Sequence, residues 1–309
     1  MILCAGEALI DMLPRKTEAG EAAFAPYPGG AVFNTAVALA RLEVPVSFFT
    51  GLSDDLFGER LSRSLTVNGV DQGLIARSAR PTTLAFVTLS GGNASYTFYD
   101  ENTAGRMVSE ADLPAIPETA EAGFFGGISL AVEPCAEAYT TLAERMSEAG
   151  RLVMLDPNVR PGFIADEARY RDRMQRLLTL ADVVKVSDED LVWLMGEGDT
   201  GVLAEAVRAN GPGLVLVTRG AEGVTAYSGG DPLHHPAPKA EVVDTVGAGD
   251  TFNAGFLAGL ADAGCLSVDT VRAGLSDDAL RRALDLGVRA AAVTVSRAGA
   301  NPPRRADLS

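Results

Sequence analysis

Residues 242–256, VVDTVGAGDTFNAGF, carry the pattern best suited to chemistry in this sequence. They read as a strand that passes through a glycine-rich turn into a helix. Gly247, Ala248 and Gly249 leave backbone N–H groups uncovered at the helix start, where the dipole also favours an anion. Asp250 follows in the first turn. A carboxylate there would repel a bound phosphate, so pure phosphate binding does not account for it. It suits a group that takes a proton from a hydroxyl attacking phosphorus. An aspartate capping its own helix is the plain alternative, and the stretch does not complete a GxGxxG fingerprint. The combination of Asp244, GAGD and a helix of small residues is far more specific.

Other stretches gain meaning as a set. Pro28-Gly29-Gly30 opens a helix containing Asn34; adjacent glycines admit a ligand to the backbone, and the amide can donate and accept. Asp11 ends the first predicted strand, where its carboxylate could accept from neighbouring hydroxyls. Asp156-Pro157-Asn158-Val159-Arg160 follows the apolar strand RLVML, at the kind of strand end that faces a ligand crevice. Arg160 could neutralise a transferring phosphate. In Lys185-Val186-Ser187-Asp188-Glu189-Asp190, Ser187 is a good N-cap followed by the acids a helix start prefers. Acids near a triphosphate also hold Mg²⁺ through water, so both readings stand. Thr218-Arg219-Gly220-Ala221-Glu222-Gly223 reads as strand, tight turn and strand, and could cradle nucleotide phosphates.

The elements that must hold these residues alternate. Apolar strands (ILCAGEALI, VPVSFFTG, GFFGGISL, RLVMLD, DVVKVS, GLVLVT) are interleaved with amphipathic helices, and two long helices start near Ala248 and Asp277. This predicts an α/β fold with a mostly parallel sheet covered on both faces. One stretch departs from the alternation: TTLAFVTLS and ASYTFYD flank Gly91-Gly92-Asn93, a hairpin signal. The hairpin either joins the Pro- and Gly-rich segment 13–28 as a flap over the strand ends or extends a sheet edge.

Composition limits the partners. With 309 residues, 47% hydrophobic and 22% charged, the chain can bury a large core. A net charge of −15 argues against nucleic acid or an anionic membrane as partner. Residues 1–16 lack a basic leader, and their apolar run is cut by Glu7 and Asp11, so they read as neither signal peptide nor membrane span. Three scattered cysteines and two adjacent histidines offer no zinc spacing; the cysteines read as buried thiols of a cytoplasmic protein. None of the lysines, Lys16, Lys185 and Lys239, lies in a P-loop pattern, and HRD, DFG and GxSxG motifs are missing.

Over essentially its whole length the sequence resembles the ribokinase-like (PfkB) carbohydrate kinases. The N-terminal family pattern appears as GGAVFNTAVALARL and the C-terminal one as DTVGAGDTFNAGF, in the expected order. Within the family it is most similar to bacterial fructokinases, through GEALIDMLP, FTGLSDDLFGE, SYTFYDENTAGRM, DPNVRPGF, KVSDEDL and VTVSRAGANPP. The resemblance implies one three-layer α/β/α domain over residues 1–309, with a small β-lid from about 12–28 and 82–105. It implies an ATP-dependent kinase that phosphorylates a hydroxymethyl group of a small neutral sugar, foremost D-fructose, with 2-keto-3-deoxygluconate as the alternative acceptor. Asp250 would be the base and Gly247, Ala248 and Gly249 the anion hole, with Arg160 at the phosphate. Asp11, Gly29, Gly30, Asn34 and Asn158 would hold the sugar. Lys185, Ser187, Thr218, Arg219, Gly220, Gly223, Gly249, Asn253 and Asn301 would serve the nucleotide. Mg²⁺, a K⁺ near Asp244 and a homodimer through the lid complete the expectation. Two departures are plain. The family's Asn-x-x-Glu motif falls on Ser187–Asp190, where both ends differ. Where many relatives have an arginine after the lid's FY pair, this chain has Asp100 and Glu101. Those acids disfavour an acidic sugar, unless Arg106 swings in.

Overall fold

The computed structural model describes residues 1–90 and 93–308, with backbone alone at 88–90 and 93–95. The N-terminal half runs β1 (Ile2–Ala5), β2 (Leu9–Lys16), β3 (Ala22–Gly29), α1 (Ala31–Arg41), β4 (Val46–Phe49), β5 (Gly51–Ser53) and α2 (Leu56–Asn68). Next come β6 (Ala76–Ser78), β7 (Leu84–Ser90), β8 (Asn93–Tyr99), β9 (Ala122–Gly126), α3 (Cys135–Glu148), β10 (Leu152–Asp156) and α4 (Glu167–Leu180). The chain continues with β11 (Val183–Ser187), α5 (Asp188–Met195), α6 (Thr200–Arg208), β12 (Leu214–Thr218), β13 (Val224–Tyr227) and β14 (Leu233–His235). It finishes with α7 (Ala248–Asp262), α8 (Val268–Ala273) and α9 (Asp277–Val295).

Eight strands form the main sheet in the order β14-β13-β12-β11-β10-β9-β1-β4. The six from β12 to β4 are parallel, and β13 and β14 are added antiparallel at one edge. Alternate strand residues enter separate cores, as period-2 geometry demands. Ile2, Cys4, Leu152, Met154, Leu214 and Leu216 pack with α1, α2, α7, α8 and α9. Leu3, Ala5, Val153, Leu155, Val215 and Val217 pack with α3, α4, α5 and α6. The apolar runs are unbroken because both faces are covered. Helices pack on both faces of the sheet through these two cores, which makes a three-layer α/β/α sandwich, and each fully buried Leu, Val or Phe contributes about 1.5–3 kcal/mol relative to exposure.

The run ILCAGEALI is not one strand. It divides at Gly6–Ala8: β1 stays in the main sheet and β2 leaves for a second sheet, ordered β3-β2-β7-β8. β3 is that sheet's edge and carries Pro26 and Pro28, the position where a missing N–H costs least. Thus segment 13–28 is mostly strand, and β7 and β8 pair antiparallel. The turn at Gly91-Gly92 lies outside the described residues. The run GFFGGISL is strand only to Gly126, then a 3₁₀ turn over Gly127–Leu130.

Two helices approach at backbone distance. A Cβ on Gly255 of α7 would fall 2.7 Å from Gly287 Cα of α9, and one on Gly259 would fall 2.5 Å from Ala283 Cα. Gly255 and Gly259 therefore let α7 meet α9 at backbone distance, while the Phe252 ring packs on Gly287 beside them. Among the described residues, no helix is long and apolar enough to cross a membrane. Cys4 and Cys135 are buried, Cys265 is partly buried, and all three are free thiols.

Candidate active site

In the strand order, β1 is flanked by β4 on one side and β9 on the other, so the connections diverge beside β1. Ligands in such sheets bind at the carboxyl ends beside that divergence. A cavity of about 290 Å³ opens there. Glu7 follows β1, Gly127 and Ile128 follow β9, and Asp156, Asn158 and Arg160 close or follow β10; Lys185 lies near the end of β11. The start of α7 supplies Gly247, Ala248, Gly249 and Asp250. Asp11, Tyr96 and Phe98 of the small sheet form the facing wall.

Asp250 is buried, and Asn34 Nδ2 donates to its Oδ2 at 2.9 Å. Thr35 Oγ1 donates to the Asp250 carbonyl at 3.3 Å. Asn34 and Thr35 sit on consecutive positions of α1, so one helix fixes both ends of the residue. Oδ1 has no hydrogen-bond partner among the described residues and is free for a ligand. Burial pushes the Asp250 carboxyl up to about 7, with the negative charge of Asp156 adding to it, against the Asn34 bond, Lys185 and Arg160. That value places a base near neutrality.

The turn before α7 is shaped for an anion. Gly247 has φ 77°, a left-handed conformation that favours glycine, and a Cβ there would fall 2.7 Å from Ala300 Cβ. Ala248 N reaches back to Thr245 O at 3.3 Å. The amides of Gly247 and Gly249 have no partner among the described residues, as expected for a helix N-terminus. Asp244, at the foot of this turn, accepts from Val246 N at 3.0 Å and from Gly299 N at 2.9 Å. A monovalent cation there would share oxygens that already brace the loop.

On the sheet side, Asp11 stands against Gly29, where a Cβ would fall 2.0 Å from Asp11 Oδ2. Gly29 therefore makes room for the carboxylate, and Gly30, φ 107°, starts α1 over Glu7 O. Burial lifts Asp11 to about 7. Asn158 adopts φ 44°, a strained conformation at the cavity rim. Arg160 Nη1 donates to the carbonyls of Asn158 and Val159 at 3.2 and 3.0 Å.

The residues expected to serve the nucleotide divide into groups. Ser187 and Thr218 are register partners at the ends of β11 and β12, one and two strands beyond Asp156. Arg219, Gly220 and Gly223 form the next turn, with Arg219 N donating to Gly223 O. They lie at the strand ends next along the sheet and do not line the cavity itself. Ser187 Oγ caps α5 by accepting from Asp190 N, and Asp190 Oδ1 accepts from Val159 N. Asn253 is fully buried and donates to Asp156 Oδ2 at 2.7 Å, so it acts from behind the cavity wall. Asn301 Oδ1 accepts from Arg41 Nη1 at 2.7 Å in an adjoining groove lined also by Asp244. Arg106 does not face the main cavity: it pairs with Asp100 at 3.2 Å, and its Nε donates to Glu133 O.

The sequence reading passed over two carboxylates of the site, naming Glu7 and Asp156 without giving either a role. Glu7 is buried and accepts from Ala31 N at 2.9 Å and Ser129 N at 3.3 Å, which ties the start of α1 to the turn after β9. Burial raises its pKa. Asp156 bonds both Asn253 and Lys185, the latter at 3.1 Å. The available signal was an acid interrupting or ending an apolar strand. Among the described residues no group of three or more His, Cys, Asp or Glu could cage a metal. Asp156 Oδ1 is buried with no hydrogen-bond partner among the described residues, and carboxylate oxygens there and on Asp190 would suit a Mg²⁺ held mainly by phosphate and water.

The pfkB family carbohydrate kinase model matches residues 1–307. The chain belongs to this family. It is 50% identical over 285 residues to the fructokinase of Rhizobium leguminosarum bv. trifolii, covering 92% of this chain and 87% of that one. The crystal structure of Xylella fastidiosa fructokinase with bound ATP superposes with TM-score 0.88 at 31% identity, over 99% of this kinase and 97% of that chain. That of Vibrio cholerae O395 fructokinase with fructose, ADP and calcium gives TM-score 0.87 at 26% identity, over 99% and 97%. The kinase thus has the ribokinase-like fold that its motifs indicated.

Proposed function

We propose that this kinase transfers the γ-phosphoryl group of ATP to a hydroxymethyl oxygen of a small neutral sugar, converting D-fructose to fructose 6-phosphate. The observation that carries the reading is the Asp250 carboxylate, buried, held by Asn34 and set beside the free amides of Gly247 and Gly249. In the forward step the sugar hydroxyl forms a bond to the γ-phosphorus and gives its proton to Asp250 Oδ1. The bond from that phosphorus to the β,γ-bridging oxygen breaks, and ADP leaves. The amides, with Arg160, stabilise charge on the transferring group.

Asp11, Asn34 and Asn158 hold the sugar, while Gly29 and Gly30 shape the wall. Ser187, Thr218, Arg219, Gly220 and Gly223 lie along the nucleotide, and Asn301 braces the Asp244 loop. Asp156 and Asp190 would hold a Mg²⁺ that accompanies the nucleotide, and the ion would supply neutralisation of phosphate charge. A K⁺ beside Asp244 would stiffen the anion hole. The cavity wall carries Glu7, Asp11, Asp156 and Asp250 against Arg160 and Lys185, which favours a neutral acceptor over a sugar acid. The fructokinase relatives support fructose in particular.

The small sheet serves as a lid, closing over sugar and excluding water. Its outer face carries Phe24, Phe86 and Tyr99 in edge-to-face contact, with Phe24 and Tyr99 exposed. Such a face suits a homodimer through the lid, in a cytoplasmic enzyme. The deciding experiment is a coupled ADP-release assay with MgATP over fructose, glucose, ribose, a nucleoside and 2-keto-3-deoxygluconate. Fructose should give the highest kcat/KM, and a sugar acid leading the panel would refute the neutral-acceptor reading.

A further inference from the structure

Helix α1 begins without a cap of its own. Its N-cap is Gly30, which has no side chain to accept from the first turn, and a Cβ there would fall 2.8 Å from Glu7 O. The first N–H groups of a helix need acceptors from elsewhere. Glu7, 24 positions before Ala31, supplies them. Its Oε1 accepts from Ala31 N at 2.9 Å, and its backbone carbonyl accepts from Phe33 N at 3.3 Å. The carboxylate also meets the positive end of the helix dipole. On the other side, Glu7 Oε2 accepts from Ser129 N at 3.3 Å, and a Cβ on Gly127 would fall 2.1 Å from Oε1. The residue is more than nine-tenths buried and hemmed in from both sides. Asn34 and Thr35, which hold the two ends of Asp250, lie one turn beyond this cap. A helix shifts as a unit, so whatever fixes the first turn of α1 fixes where Asn34 Nδ2 meets Asp250 Oδ2.

Resting on the reading of Asp250 as base, we infer that Glu7 is a positioning residue for it. Glu7 caps α1 from across the fold and so sets the Asn34 contact, while its other oxygen ties that helix to the cavity-wall turn at 127–129. No contact between Glu7 and the sugar is needed. The charges acting on Asp250 come from Asp156, Lys185 and Arg160, and Asp11 and Tyr96 also face that cavity. Asp100, Arg106 and Cys135 lie around Glu7 on its far side.

Two variants break the cap in different ways. Glu7→Gln keeps the shape but turns one accepting oxygen into a donor that faces an N–H. Ala31→Pro leaves Glu7 untouched and removes the N–H itself. It does so at the first helical position, where proline is well tolerated, so the test stays open should Glu7→Gln not fold. In each, the Asn34 bond that holds the Asp250 pKa down is weakened. The acid limb of the kcat profile should therefore move upward by about half a unit. Above that limb kcat should fall by about threefold to tenfold through misplacement of the base, with ADP affinity in calorimetry within about twofold of wild type. Losing the Glu7 charge alone would move the limb the other way, and the other charged groups stay in place. A cap with no bearing on the base would lower Tm and leave the limb where it is. Adding Asn34→Leu to either variant should move the limb no further than Asn34→Leu alone, because both act through one bond. A folded Ala31→Pro enzyme with an unmoved limb, or shifts that add in the double variant, would overturn the assignment. Failure of the underlying reading is seen separately: an Asp250→Asn enzyme that keeps its turnover removes the base, whatever the limb does here.

Discussion

Replacing Asp250 with Asn should disable the kinase and stabilise it at the same time. The side chain is isosteric, and Asn34 Nδ2 can still donate to its carbonyl oxygen, so fructose affinity should stay within a few-fold by calorimetry. Turnover should fall by about 10²–10⁴-fold, the contribution of a positioned base. The stability effect follows from burial, which lifts the carboxyl from 3.8 to about 7. Three units at 1.36 kcal/mol each give a ceiling of about 4 kcal/mol for ionising the group in the native state. A buried amide keeps part of that cost, so a gain of about 2 kcal/mol, roughly 3 °C in Tm, is expected. The sign depends on pH. Below about pH 4 the group is protonated in both folded and unfolded chains, and the variant gains nothing from charge. Between about 4 and 7 the unfolded chain releases the proton first, so wild type loses stability as pH rises and the variant's advantage grows. Above about 7 the advantage levels off. Melting curves at half-unit steps from pH 4 to 8.5, beside ADP-release rates, test both parts. Turnover within tenfold of wild type would remove Asp250 as base, and a pH-independent Tm difference would refute the burial argument.

Other substitutions probe the surrounding groups. Asn34→Leu removes the hydrogen bond that holds the Asp250 pKa down, so the acid limb of the kcat profile should move upward by about one unit. An unmoved limb would exclude Asn34 as the partner. Asp11→Asn should raise the fructose KM by about tenfold or more with a smaller change in kcat. Because burial sets Asp11 near 7, wild-type sugar affinity should also weaken below that pH, and the variant should lose this dependence. Gly247→Ala should cut kcat by about 10-fold or more, through both the left-handed φ and the contact with Ala300. Equal kcat in that variant would show that the turn tolerates movement.

The legible part of the molecule was local or periodic. Alternating apolar runs showed the parallel sheet, and the GAGD turn exposed its amides and acid within four consecutive residues. What escaped were relations across the sheet. Asp156 meets Lys185 and Asn253 only because the fold brings together residues 29 and 97 positions away. Glu7 looked like a polar break in a strand, yet it marks where the chain leaves one sheet for another. Gly29 seemed to admit a ligand, whereas it admits the neighbouring Asp11. Arg106 offered a free cation on paper, but Asp100 holds it elsewhere. These are tertiary pairings, which spacing along the chain does not encode.

The seat of α7 on α9 bears on how the enzyme moves. Backbone close to backbone at Gly255 and Gly259 leaves α7 no room to shift toward α9 at those two points. Its first turn is therefore an anvil, and any stroke on binding must come from the opposite wall. Enlarging either glycine would tilt the anvil, so substitutions some two turns away could blunt catalysis while every reacting group remains in the sequence.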